Sequence, residues 1–161
     1  MVGRVLIVNP KVIIADEPVS MIDASLRATV LTTLRELYLQ QGISILYITH
    51  DLATAYQIIV MYAGHAVETG SAEEVIKWPK HPYSQLLINA LPQLNPEVKW
   101  QLPDQSDETN QVNMDSTGCK FAGRCQHVME HCVTHRPDLV ATEPDRSANC
   151  HLYDETVEKV G

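Results

Sequence analysis

The sequence predicts an α/β fold built on a parallel sheet with flanking helices, and three segments carry the prediction. Residues 12–15 form a short, wholly apolar run rich in β-branched side chains, which suits a strand buried on both faces. From Ala24 to Gln41, the residues Leu26, Val30, Leu34, Leu37 and Tyr38 recur at i, i+4, i+8, i+11 and i+12, one face of a 3.6-residue repeat. Residues 43–49, ISILYIT, form a second apolar run of the strand type. Asp23 is placed to cap the helix, and Gly42 to stop it. Strand, helix and strand joined by short links make a right-handed βαβ unit, so the two strands should be parallel.

Further along, residues 51–58 read as a short helix and residues 59–63 as a strand. Gly64-His65 then makes a hairpin turn into residues 66–69. Ser71-Ala-Glu-Glu74 fits a capping box that opens a helix ending near Trp78. A second short helix follows His81-Pro82 and runs through Leu91. Residues 92–118 hold three prolines and many Asp, Gln, Asn and Ser, with no periodic apolar face, and read as a linker. A small, irregular, cysteine-rich unit closes the chain. The expected organisation is therefore 1–91, a linker at 92–118, and 119–161.

Composition narrows the function classes. The chain has 161 residues, with 12 Lys and Arg against 20 Asp and Glu, a formal charge of −8. An acidic balance argues against a nucleic-acid partner, because phosphate-backbone affinity rests on clustered Lys and Arg. No apolar run approaches the ~20 residues that span a bilayer, and residues 1–11 lack the pattern of a secretory signal. A cytoplasmic location follows as the default. Cys119, Cys125, Cys132 and Cys150 all lie in the last 43 residues of the chain. Thiols so confined suit metal ligands or buried side chains better than a disulfide framework. The spacing Cys-x5-Cys-x6-Cys-x17-Cys lacks the paired knuckles of zinc ribbons. It leaves open a four-iron cluster, a zinc site that also draws on His127, His131, His135 or His151, and four packed thiols.

The candidate chemistry lies at the strand ends. Parallel strands share one carboxyl edge, where open α/β sheets bind their ligands. Asp16-Glu17 closes the first strand and Thr49-His50 the second, so neighbouring strands would gather two acids and an imidazole around one site. That set suits magnesium beside a polyanion: Asp16 for the metal, Glu17 for an oriented water, His50 for a phosphoryl group.

These residues carry a family resemblance. VIIADEP at residues 12–18 resembles the Walker B segment of ABC-transporter ATPases, SMID at 20–23 their D-loop, and ITHD at 48–51 their switch-histidine loop. HPYSQLL at 81–87 and GCKFAGRC at 118–125 are similar to the oligopeptide/dipeptide importer subgroup. Ile22 departs from the usual leucine, and Ile58 runs into Ile59 without the Ser-Asp pair usual at that junction. The resemblance implies a partial P-loop NTPase-type fold using ATP and Mg, with Glu17 and His50 catalytic, Asp16 at Mg-ATP and Asp23 at a dimer interface. It implies a second ATPase subunit and membrane permeases as partners, an extracytoplasmic substrate-binding protein acting indirectly, and a place on the inner face of the cell membrane. It also implies an iron–sulfur cluster on Cys119, Cys125, Cys132 and Cys150. No Gly-x-x-x-x-Gly-Lys-Ser/Thr and no Ser-Gly-Gly signature occurs in the sequence, so the chain alone is expected to be inactive, the carboxyl-terminal part of a longer subunit. The alternative is a catalytically inactive metal-binding or iron–sulfur module in regulation or assembly.

Overall fold

A computed structural model of the chain describes residues 2–20, 22–50, 55–90 and 117–154. The fold divides into two compact units, residues 1–55 and 56–161.

The first unit holds α1 (Val2–Leu6), β1 (Val12–Asp16), α2 (Ala24–Gln41) and β2 (Ser44–Ile48). β1 and β2 pair in parallel, with Val12 opposite Ser44 and Asp16 opposite Ile48. This is the βαβ unit read from the sequence. Gly42 ends α2 in the left-handed region at φ 67°, where its N–H reaches the carbonyls of Leu37 and Tyr38. The chain can then reverse, and the Ser44 N–H bonds the Lys11 carbonyl at 2.9 Å. The core gathers Ile13, Leu34, Leu37 and Ile43, with Leu6, Val30 and Ile45 against it. Full burial of one such side chain contributes about 1.5–3 kcal/mol.

Three expectations change here. β1 is buried on one face only: Ile13 is inside, whereas Val12 and Ile14 are exposed, because α2 covers just the face that carries Ile13 and Ile45. Leu26 and Tyr38, at the two ends of the helical stripe, also lie exposed. Asp23 occupies the N-cap position, but its side chain makes no capping hydrogen bond. Its backbone carbonyl accepts from the N–H groups of Leu26 and Arg27 instead.

The second unit begins with β3 (Gln57–Tyr62) and β4 (His65–Ser71), an antiparallel hairpin. Residues 51–54 of the expected helix lie outside the described residues, and Gln57 and Ile58 belong to the strand. Alternate burial of Ile58, Val60 and Tyr62 explains why: the pattern has period two. The turn is Ala63-Gly64, both at positive φ, one residue earlier than read. α3 (Ala72–Lys77) starts at Ser71, whose Oγ accepts from the Glu74 N–H at 3.3 Å and donates to the Glu74 carboxylate at 2.6 Å. α4 (Pro82–Asn89) is capped by His81, whose Nδ1 accepts from the Tyr83 N–H at 3.0 Å. Leu91 and residues 92–116 of the expected linker lie outside the described residues.

The tail is more regular than its composition suggested. It forms α5 (Glu130–Thr134), β5 (Val140–Glu143) and β6 (Arg146–Ala148). β6 pairs with β4, giving one antiparallel sheet in the order β3-β4-β6-β5. Residues expected as a separate unit thus share a sheet with residues 57–71. Phe121, nearly fully buried, packs edge-on against Tyr62 and Tyr83 with ring centroids 5.2 and 5.6 Å away.

A buried ion pair fixes this arrangement. Glu68 on β4 has no exposed surface and accepts four contacts: the Lys80 N–H shared between its two oxygens, the His81 N–H at 2.9 Å, and Arg146 Nη2 at 2.9 Å. Arg146, also buried, donates further to Glu143 and to the Trp78 carbonyl. Burial holds the His81 imidazole down at about 4, against the opposing pull of Glu68, so it stays neutral and keeps its cap at neutral pH. Glu68→Gln or Arg146→Ala is expected to cost this unit about 3–5 kcal/mol, because each leaves a buried charge without its partner. Urea denaturation followed by the tyrosine signal checks this. A loss under 1 kcal/mol for both variants contradicts it.

Candidate functional site

The carboxyl edge of β1 and β2 brings two of the sequence-predicted residues together. Asp16 stands opposite Ile48, and the Glu17 N–H extends the ladder by one bond to the Ile48 carbonyl at 2.9 Å. Glu17 then leaves the strand at φ 42°, in the left-handed region that non-glycine residues rarely occupy. Such conformations cost on the order of 1–3 kcal/mol and persist where surrounding contacts hold them. Here the Glu17 carbonyl accepts from the Ser20 N–H at 3.2 Å and the Ser20 hydroxyl at 3.0 Å.

The turn leaves the Glu17 carboxylate 3.0 Å from Nδ1 of His50. The carboxylate can only accept, so Nδ1 carries the proton of this contact. The hydrogen bond from His50 holds the Glu17 carboxyl below its ordinary range. Both side chains are exposed, so the pair sets orientation and protonation and adds little to stability. Glu17, Val19, Ser20, Arg27, Thr49 and His50 line a cavity of about 260 Å³. Asp16 is the exposed last residue of β1 and Asp23 the exposed residue before α2, and neither lines the cavity.

Arg27 was not singled out from the sequence. Its signal was its position, four residues after Asp23 and one turn into α2. Helical side chains lean toward the N-terminus, so this one reaches back over the first turn. Its Nε donates to the Ile22 carbonyl at 3.1 Å.

The second candidate site lies in the tail. Cys119, Cys125, Cys132 and Cys150 line one small cavity, together with His81, His127 and His151. Gly118 makes the first approach: a Cβ there would collide with the carbonyls of Cys132 and Val133, and its absence lets the Cys119 N–H reach the Cys132 carbonyl at 2.8 Å. The pairing of β6 with β4 carries Cys150, two residues past the strand, to the same place. Burial pushes the Cys150 thiol up to about 11, and the other three cysteines add to the shift. Burial also raises Cys119 and Cys125. Cys119, Cys125 and Cys150 are therefore protonated at neutral pH, and metal binding to them releases protons. Four cysteines match the donor number of an iron–sulfur cluster, but as placed they leave no room for one. The cavity itself is about 10 Å³, room for roughly one water. Among the described residues, no three His, Cys, Asp or Glu side chains are placed to share a single metal ion. Among them, too, no helix is long and apolar enough to cross a membrane.

Comparison with known proteins bears on both sites. Residues 67–132 match the family model described as the oligopeptide/dipeptide transporter C-terminal region. The chain is 38% identical over 154 residues to the oligopeptide transport ATP-binding protein OppD of Salmonella typhimurium, covering 93% of this chain and 45% of that one. It is 35% identical over 159 residues to the oligopeptide transport ATP-binding protein AppD of Bacillus subtilis, 96% of this chain and 48% of that one. It is 34% identical over 161 residues to the dipeptide transport ATP-binding protein DppD of Escherichia coli, 94% and 47%. The chain thus spans about half the length of the curated relatives it matches. Residues 67–132 thus carry the oligopeptide/dipeptide transporter C-terminal region, and nearly the whole chain, the Glu17–His50 edge included, is similar to oligopeptide and dipeptide transport ATP-binding proteins.

Proposed function

We propose that the chain supplies the water-activating edge of an ATPase that powers import of oligopeptides or dipeptides. The observation that carries this reading is the 3.0 Å contact between Glu17 and His50 at the carboxyl edge of a parallel strand pair. Phosphoryl transfer to water needs an oriented water and donors placed where charge develops. Glu17, kept ionised by the His50 hydrogen bond, accepts from the water and turns a lone pair toward the phosphorus. His50 holds that carboxylate from Nδ1, and in its imidazolium form can donate from Nε2 to a phosphoryl oxygen. Asp16, with its hard oxygens exposed beside this edge, is the residue for magnesium, which would neutralise charge on the phosphates. Asp23, exposed ahead of α2, suits contact with a second ATPase subunit. ATP with magnesium, a partner ATPase, membrane permeases and a position on the cytoplasmic face of the membrane complete the proposal. An extracytoplasmic binding protein would act through the permeases.

The test joins this chain to the preceding half of one of its relatives and measures phosphate release and nucleotide binding. Glu17→Gln is expected to lower turnover at least about 100-fold while nucleotide binding persists. Unchanged turnover removes Glu17 from the reaction.

We further infer that Cys119, Cys125, Cys132 and Cys150 hold an iron–sulfur cluster. What supports this is only that four cysteines line one cavity, the donor number of such a cluster; among the described residues their present placement counts against it, since no three could share an ion. Loading requires the thiols to swing outward from a space of water size, and the cluster would then staple residues 119–132 of the tail to Cys150 after β6. Anaerobic reconstitution with iron and sulfide is expected to give visible absorption and about four irons per chain, lost in Cys132→Ser. A colourless protein with four titratable thiols contradicts it.

A further inference from the structure

The cavity at the end of β1 and β2 presents a problem of charge. The Glu17 carboxylate forms one wall, the chain carries a net charge of −8, and a phosphoryl group is itself anionic. Magnesium at Asp16 and the His50 imidazolium would offset part of that repulsion, and a fixed cation in the cavity wall would offset more. We propose that Arg27 binds the phosphoryl group in this cavity, as a residue for substrate or product beyond Asp16, Glu17 and His50. The inference rests on reading the cavity as a phosphoryl site.

Three observations and one general rule support it. Arg27 is the one Lys or Arg among the described residues that line the cavity. Its guanidinium carries five N–H donors, and the bond from Nε to the Ile22 carbonyl uses one while fixing the plane of the fork. Among the described residues, no carboxylate lies within ion-pair distance of Arg27, so the terminal nitrogens keep their charge for a ligand. A planar fork of this kind binds phosphate through two parallel hydrogen bonds, which a lysine cannot reproduce.

The size of the cavity suits a small ligand. About 260 Å³ falls below the ~300–1,000 Å³ of clefts that enclose a whole drug-sized molecule. That is room for a group of phosphoryl size, and the Arg27 and His50 walls suit an anionic one. The Ser20 hydroxyl is already committed to the Glu17 carbonyl, so Arg27, with the imidazolium form of His50, supplies the charged donors of the cavity wall. The group could belong to a nucleotide or to free inorganic phosphate, and the experiment separates the two.

The 161-residue chain is titrated with inorganic phosphate, and separately with magnesium and a non-hydrolysable ATP analogue. The Arg27 side-chain and His50 ring signals are followed by nitrogen-15 NMR. Inorganic phosphate is expected to shift both signals. Arg27→Gln should weaken its binding roughly tenfold to a hundredfold, Arg27→Lys should recover part of the loss, and Glu17→Gln should tighten binding. Thermal melting of each variant establishes folding, and Arg27→Lys serves as the readout should Arg27→Gln fail to fold. No phosphate binding by the parent chain, or equal binding by parent and variant, overturns the inference. An analogue that shifts His50 equally in parent and Arg27→Gln leaves the nucleotide reading standing and removes Arg27 from it. Phosphate bound through Arg27, with the analogue bound nowhere, supports the Arg27 site while removing the nucleotide reading.

Discussion

The candidate chemistry depends on the in-register parallel pairing of β1 with β2. Glu17 and His50 are 33 residues apart in the chain, and only the alignment of Asp16 with Ile48 sets their backbones at the same level. A slip of one residue would turn every following side chain to the opposite face and separate the acid from the imidazole. The register is held from below by the Ser44 bond to Lys11 after Gly42, and from one face by Leu34 and Leu37 over Ile13. Packing of α2 therefore reaches the candidate edge directly. The left-handed turn at Glu17 completes the arrangement: without it the strand would carry this carboxylate onward instead of back toward His50.

The second unit is organised around a different constraint, a buried charge pair. Glu68 and Arg146 lie 78 residues apart, and neither can be buried without the other. Their pairing ties β6 to β4, and the same carboxylate fixes the Lys80 and His81 amides just ahead of α4. Cys150 follows β6, and His81 lines the thiol cavity, so one ion pair positions two walls of it. The tail is thereby a continuation of the hairpin sheet. That explains why a segment poor in apolar residues has a defined fold.

Much of this was legible in the sequence, and the failures have physical causes. The βαβ unit, the Gly42 stop and the Ser71 capping box depend on local periodicity and local hydrogen bonds, which a sequence displays. The edge position of Glu17 and His50 followed from the parallel rule. Residues 57 and 58 were misread because two adjacent isoleucines have no visible period, whereas the strand buries Ile58 and exposes Ile59. Exposure of Val12, Ile14, Leu26 and Tyr38 was illegible for a related reason: an apolar side chain declares its preference and not whether anything covers it. Pairing of β6 with β4 depends on contacts across more than 70 residues, beyond any local pattern. Arg27 was missed because a lone arginine on a helix is ordinarily a solvated charge, and only the turn before α2 makes it a wall of a cavity.

The central claim is that Glu17 and His50 act as one hydrogen-bonded unit at the sheet edge. Long-range proton–nitrogen NMR of the His50 ring in the 161-residue chain tests it most directly, at a pH where the imidazole is neutral. Each nitrogen then reports whether it bears the proton, and the bond made by the ring decides which one does. The account predicts the proton on Nδ1, shifting toward Nε2 in Glu17→Gln. A His50 ring with its proton on Nε2 in the parent chain, unaltered by that substitution, would contradict it.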